Sequence, residues 1–157
     1  MATTDLAGHT IFQFLRPEQM KAISEAAEEV TLAPGEYVYR RGAPADHFFV
    51  VLSGQVALRL PQGDRFSIQI DEVGEGAFFG SCICFQLPEY ALTAQCTENS
   101  RILMVRADVL KNLMDEDLVM GYAVQRLISR VYFLRYVETM RKLQAMVQSI
   151  PLEVTRH

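Results

Sequence analysis

The sequence predicts an α+β domain: a β sandwich or barrel preceded by a short helix and followed by a long one. Three observations carry that expectation. Across residues 30–105 apolar residues alternate, or come in short β-branched and aromatic runs, and turn signals break them every ~8–12 residues. On either side the apolar positions repeat at helical spacing. The chain has 157 residues, half of them hydrophobic and 22% charged, which is enough for one packed domain and excludes wholesale disorder.

The elements follow in order. Residues 1–29 form an N-terminal helical segment. Its helix opens at Pro17-Glu18-Gln19-Met20, because proline suits the first helical position and an acidic residue the first turn. Leu15, Met20, Ile23 and Ala27 keep helical spacing, and the helix is expected to end near Glu29. The β region spans 30–105, punctuated at Ala33-Pro34-Gly35, Arg41-Gly42-Ala43-Pro44, Ser53-Gly54, Pro61-Gln62-Gly63-Asp64 and Gly74-Glu75-Gly76. The C-terminal helices occupy 107–150. A short one starts at Ala107, and after Asp115-Glu116-Asp117 a second is expected from Leu118 to Gln148, with only Gly121 as a weak point. Thirty-one residues make a helix of roughly 46 Å, too long to bury throughout on a domain of this size.

That helix carries two apolar seams. Met120, Val124, Leu127, Val131 and Leu134 step by 4-3-4-3; Phe133, Tyr136, Met140, Leu143, Val147 and Ile150 step by 3-4-3-4-3. Both spacings are those of a coiled-coil interface. The first seam also fits a core face within one chain, and the second fits a partner. Together they predict a dimer helix.

Charge narrows the function classes. Nineteen acidic residues against fifteen Lys and Arg leave a net −4, the wrong sign for a general nucleic-acid or membrane-surface binder. Residues 1–117 hold 9 Lys and Arg against 17 Asp and Glu, a net −8, and residues 118–157 hold 6 against 2, a net +4. The basic segment reads first as a solvated helix face and second as a helix that docks on an acidic partner or lies on its own acidic domain. No apolar run approaches a membrane span, the N-terminus lacks the marks of a signal peptide, and three cysteines suit a reducing cytoplasm.

The most distinctive stretch runs Leu32-Ala33-Pro34-Gly35-Glu36-Tyr37-Val38, then Arg41-Gly42-Ala43-Pro44-Ala45-Asp46-His47, then Phe48-Phe49-Val50-Val51-Leu52-Ser53-Gly54-Gln55-Val56. From about Phe14 to Met140 the chain resembles the cyclic nucleotide-binding domain of Crp/Fnr regulators, protein kinase A regulatory subunits and gated channels. The resemblance implies a β-roll (a double-stranded β-helix, or jelly-roll) and places the chain in a bacterial cytoplasm.

It also implies where a ligand would sit. The family's phosphate-binding cassette runs Phe-Gly-Glu, a short apolar helix, then Arg-Ser/Thr/Ala-Ala. The matching segment is Phe79-Gly80-Ser81-Cys82-Ile83-Cys84-Phe85, a loop, and Tyr90-Ala91-Leu92-Thr93-Ala94. In the family the glycine and the helix start present N–H groups to an anion, the arginine neutralises the cyclic phosphate, and the glutamate accepts the ribose hydroxyl. Here Ser81 replaces the glutamate, Tyr90 the arginine, and Ala91 stands at the small hydroxyl position. Losing a buried charge partner costs about 2–5 kcal/mol, so tight cyclic AMP or GMP binding is not expected. Arg135, with Tyr136 beside it, lies about where relatives cap the purine from the long helix. The candidate ligand-binding residues are therefore Phe79, Gly80, Ser81, Cys82, Ile83, Tyr90, Ala91, Leu92, Arg135 and Tyr136, lining an apolar pocket that admits either another ligand or the chain's own side chains.

Cys82, Cys84 and Cys96 read as buried small hydrophobes: a zinc or iron–sulfur site wants four ligands, and His9, His47 and His157 are scattered. No haem ligand pair is evident, and no cofactor or metal is expected; a thiol sensor at the cassette helix stays open. No enzyme motif stands out, so the expectation is a non-enzyme. The chain ends at His157, without the winged helix-turn-helix that follows the long helix in the family's transcription factors. Three readings result. The first is a stand-alone, dimeric sensory module that does not bind cyclic AMP or GMP in the usual way. The second is a subunit of a larger protein assembly with a vestigial pocket and the Phe133–Ile150 seam as docking surface. The third, disfavoured, is a DNA-binding regulator.

Overall fold

The computed structural model describes residues 10–80 and 86–150. A 3-10 turn (Thr10–Phe12) leads into α1 (Pro17–Glu25), and eight strands follow: β1 (Ala27–Leu32), β2 (Tyr37–Tyr39), β3 (His47–Ser53), β4 (Gln55–Gln62), β5 (Phe66–Gly74), β6 (Phe78–Phe79), β7 (Thr93–Cys96) and β8 (Ser100–Arg106). Two helices, α2 (Ala107–Glu116) and α3 (Leu118–Gln148), close the chain. The strands form two antiparallel sheets, ordered β1-β8-β3-β6 and β2-β7-β4-β5, facing each other as a jelly-roll sandwich.

α1 ends earlier than the sequence predicts. Ala27, Glu28 and Glu29 belong to β1, paired with Val105, Met104 and Leu103 of β8. These three residues favour a helix when taken locally; six ladder positions along β8 outweigh a propensity difference of at most a few tenths of a kcal/mol per residue.

The strand alternation sorts side chains into two cores. Phe48 and Val50 of β3, with Leu103 and Val105 of β8, face the helices and pack with Ile11, Phe12, Ile23, Leu110, Met120, Val124 and Ile128. Phe49 and Val51 point the other way, between the sheets, with Val56, Leu58, Val73, Phe79, Tyr90, Ala94, Cys96 and Ile102. β3 is thus buried on both faces, which explains its unbroken apolar run.

One residue, Asp117, joins α2 to α3. Its Oδ1 caps α3 by accepting from the Met120 N–H at 3.1 Å, and its Oδ2 accepts from Gln19 Nε2 at 3.0 Å. Gln19 in turn accepts from the Arg16 N–H at 2.8 Å, so one buried amide ties the start of α1 to the start of α3. The Met120 N–H, and then the Gln19 amide, hold the Asp117 carboxyl below the usual aspartate range.

α3 covers the expected residues, but its first seam is corrected. Met120 and Val124 are 5% and 0% exposed within this chain, and Ile128, absent from the predicted seam, is also 0% exposed. Leu127 and Val131 are half-buried against the same core. These positions serve the chain's own core and leave little for a partner. Beyond them Phe133, Leu134, Tyr136, Met140, Leu143, Val147 and Ile150 are all exposed. Among the described residues no helix is long and apolar enough to cross a membrane.

Gly121 is where α2 and α3 come closest. A Cβ there would lie 2.5 Å from the Met114 carbonyl oxygen and 3.1 Å from its carbon. Gly121→Ala would ordinarily strengthen a helix by about 1 kcal/mol, but overlap with backbone costs about 1–3 kcal/mol. The expected outcome is a net loss of stability, read as a lower urea midpoint with an unchanged m-value.

Candidate functional site

The cassette glycine sits at the end of β6. Gly80 has φ +77°, a conformation that favours glycine, and it is buried. A Cβ on it would meet the Phe49 ring at 2.9 Å and the Tyr39 ring at 3.4 Å. The glycine's close approach is therefore made by aromatic side chains of the same chain. Of the predicted cassette residues, Ser81, Cys82, Ile83, Cys84 and Phe85 lie outside the described residues.

Tyr90, which the resemblance sets against the family's arginine, is fixed by the backbone on both sides. Its N–H donates to Ala43 O at 3.0 Å and its carbonyl accepts from the Gly42 N–H at 2.9 Å, while Ala45 N–H donates to Pro88 O at 2.9 Å. These bonds run the segment antiparallel to residues 42–45 and aim the side chain between the sheets. Tyr90 is 4% exposed. Its ring stacks on Tyr39 with centroids 3.7 Å apart and planes 13° from parallel. Phe49 and Phe79 complete an aromatic block, with centroids 5.2 Å apart from each other and 6.2 Å from Phe49 to Tyr90. The one polar atom Tyr90 brings inside is satisfied: its hydroxyl donates to His47 O at 2.7 Å and accepts from the His47 N–H at 3.3 Å.

Phe79, Gly80 and Tyr90 are thus brought together, and the half-buried Leu92 packs against the same inter-sheet core. Ala91 faces solvent. Arg135 and Tyr136 do not reach this interior. Arg135 Nε lies 2.6 Å from Asp71 Oδ2 on β5, with its guanidinium 4.9 Å from the centre of the Tyr132 ring. Tyr136 is 59% exposed. α3 runs along β5 here, and Arg135 meets a carboxylate of that strand. Arg135 instead closes one side of a shallow groove, of about 230 Å³, between β5 and α3.

Cys96 is buried, and burial pushes its thiol above the ordinary cysteine range. A protonated, enclosed thiol is a poor nucleophile and a poor ligand. Among the described residues no group of three or more His, Cys, Asp or Glu is placed to hold a metal ion. Sequence reasoning missed the roles of Tyr39 and Phe49; their signal was the aromatic residue at each inward strand position facing the cassette.

Tyr90→Phe keeps the stack and leaves both His47 backbone groups without the hydroxyl. A loss of about 1–2 kcal/mol in urea denaturation is expected, with the fold retained.

Known proteins place this geometry in context. The sensor domain of the transcriptional regulator DNR from Pseudomonas aeruginosa superposes with a TM-score of 0.73, covering 95% of this chain and 93% of that one at 21% identity. The regulatory domain of Toxoplasma gondii PKA, crystallised with cAMP, superposes with a TM-score of 0.66, covering 81% and 46% at 19% identity. At these identities the likeness is one of fold. In sequence, a cGMP-dependent protein kinase of Drosophila melanogaster (isozyme 2 forms cD5/T2) is 35% identical over 71 residues, which is 45% of this chain and 8% of the kinase. A CRP-like cAMP-activated global transcriptional regulator of Mycobacterium tuberculosis is 24% identical over 127 residues, 80% of this chain and 56% of that protein. The chain therefore spans from under a tenth to about half of these relatives. The family description "cyclic nucleotide-binding domain" matches residues 29–117, more than half of the chain and all eight strands but the first two residues of β1. On that match, and on the roll it folds into, the chain belongs to the cyclic nucleotide-binding domain family.

Proposed function

We propose that this chain is a non-catalytic regulatory module of the cytoplasm that keeps the family's roll without its cyclic-nucleotide chemistry, and that it self-associates through the distal half of α3. The observation that carries the first half of this reading is the Tyr90–Tyr39 stack. A cyclic phosphate beside Gly80 needs a cation and open space. The described neighbours there are Tyr39, Phe49, Phe79 and Tyr90, four aromatic rings with no guanidinium among them. Burying an anion among them without a partner costs several kcal/mol. The same packing argues against the other ligands that an apolar interior would admit, because any of them must first displace Tyr90 and break its two bonds to His47.

Thermal unfolding in the presence of cyclic AMP, cyclic GMP and cyclic dinucleotides tests this. A ligand at 100 times its Kd adds about 2.7 kcal/mol and raises Tm by several degrees. No shift is expected with any of them; a saturable rise with cyclic AMP or GMP would overturn the reading.

The second half rests on the exposed apolar stripe. Phe133, Tyr136, Met140, Leu143, Val147 and Ile150 are 44–63% exposed along the last turns of α3 and just past its end, a larger apolar surface than a lone helix ordinarily leaves in water. Their 3-4 spacing suits a second α3 packed at a coiled-coil crossing. Sedimentation analysis is expected to show a dimer at micromolar concentration, with Leu143→Asp weakening association tenfold or more, roughly the penalty for a carboxylate in an apolar seam. A wild-type monomer would favour the alternative, in which the seam docks on a different subunit of a larger assembly.

A further inference from the structure

The outer face of the β2-β7-β4-β5 sheet carries a group of arginines that the roll's interior does not use. On β4, Val56 and Leu58 turn inward beside Cys96 and Ala94 of β7. The intervening positions turn the other way: Ala57 opposite Gln95, and Arg59 opposite Thr93. The β4–β5 register slips between Leu58 and Arg59, whose partners are Asp71 and Gln69, so Ile70 is the extra residue of a bulge on β5, across from Arg59. Arg40, just past β2, and Arg65, in the β4–β5 turn, border the same cleft of about 360 Å³, with Tyr37 and Thr93 in its wall.

Two features mark this cluster. Arg16, Arg101, Arg106, Arg135 and Arg141 are each ion-paired to a carboxylate. Among the described residues Arg40, Arg59 and Arg65 have no such partner; Arg41, Arg126 and Arg130 have none either, but they do not border this cleft. In addition, Arg59 Nε is sealed from solvent and makes no hydrogen bond. A buried guanidinium N–H without an acceptor is costly. The Arg40 guanidinium carbon lies over the Tyr37 ring, 3.8 Å from its centre, which holds the charge at the cleft without neutralising it. Asp64 is the one carboxylate in the lining, against three guanidinium groups.

We propose that this cleft is a binding site for a phosphoryl-bearing anion with two or more negative charges. Planar guanidinium forks match phosphate oxygens two at a time, and three forks around one cleft suit a diphosphate better than a single monoanion. The site is separated from the family's interior pocket by the thickness of the β4–β7 ladder and does not depend on whether that pocket is closed. Thr93 marks the division: it is 5% exposed, and its Oγ1 accepts from the Arg41 N–H at 3.0 Å, pinning the loop that carries Arg40.

Calorimetric titration with inorganic pyrophosphate at low ionic strength tests the assignment. Saturable one-site binding is expected, weakening as sodium chloride is raised. Arg65→Gln and Arg40→Gln lie on the surface and leave the fold intact; each is expected to weaken binding roughly tenfold, the worth of one charge-assisted hydrogen-bond pair. Arg59→Gln is expected to lose more, and Arg101→Gln, paired with Glu29 on the opposite sheet, to lose nothing. A parallel titration with ADP separates two sources of the same chemistry. Tighter binding than pyrophosphate assigns a nucleotide whose ring meets Tyr37 or the exposed Phe66, and equal binding assigns the diphosphate alone. Absence of saturable heat with both ligands, or affinity that survives Arg40→Gln, Arg59→Gln and Arg65→Gln unchanged, would overturn the proposal.

Discussion

β3 has no solvent face, and the rest of the molecule is arranged around that constraint. It lies between β8 and β6, sends Phe48 and Val50 into the helical layer, and sends Phe49 and Val51 into the space between the sheets. A strand buried on both sides needs apolar cover on both sides. The helices supply one cover through Ile23, Leu110, Val124 and Ile128, and the second sheet supplies the other through Val56, Leu58 and Ala94. The two cores therefore share a single backbone.

The interior of the roll is closed around Tyr90 by aromatic packing. The backbone ladder of residues 42–45 with 88–90 keeps the cassette's return segment in place, and Gly80 keeps its left-handed conformation. What differs is the side chain delivered by that frame. A guanidinium between the sheets would demand an anion; Tyr90 demands only a flat neighbour and a backbone partner, and Tyr39 and His47 provide them. Positive charge in this sheet is found on its outer face, where Arg40, Arg59 and Arg65 gather around one cleft. Along α3 a similar division occurs: the proximal half is held by the chain's own core, and the distal half keeps its apolar residues in the open.

Much of this was legible in residue order. The glycine-punctuated β region, the helix at Pro17 and the 31-residue α3 follow from turn chemistry and apolar period, which are local properties. The less accurate readings are instructive. The 4-3-4-3 seam placed Leu127 in line with Met120 and Val124, whereas the buried row is Met120, Val124, Ile128. A heptad pattern assumes 3.5 residues per turn; a straight α-helix at 3.6 drifts toward steps of four when it packs on a sheet layer. Ala27-Glu28-Glu29 looked helical because nothing local records a ladder with residues 103–105.

By itself the sequence determined the fold family and the order of elements, because each is written in the identity and spacing of neighbouring residues. Only the tertiary structure decided what surrounds Tyr90. Tyr39, Phe49 and Tyr90 are separated by up to 51 positions and meet through antiparallel pairing across two sheets. It also decided that Arg135 belongs to Asp71, 64 positions away, and that Arg40, Arg59 and Arg65 border one cleft. Contacts at such separations are set by register and sheet order, which the one-dimensional pattern constrains only through the cores it must bury.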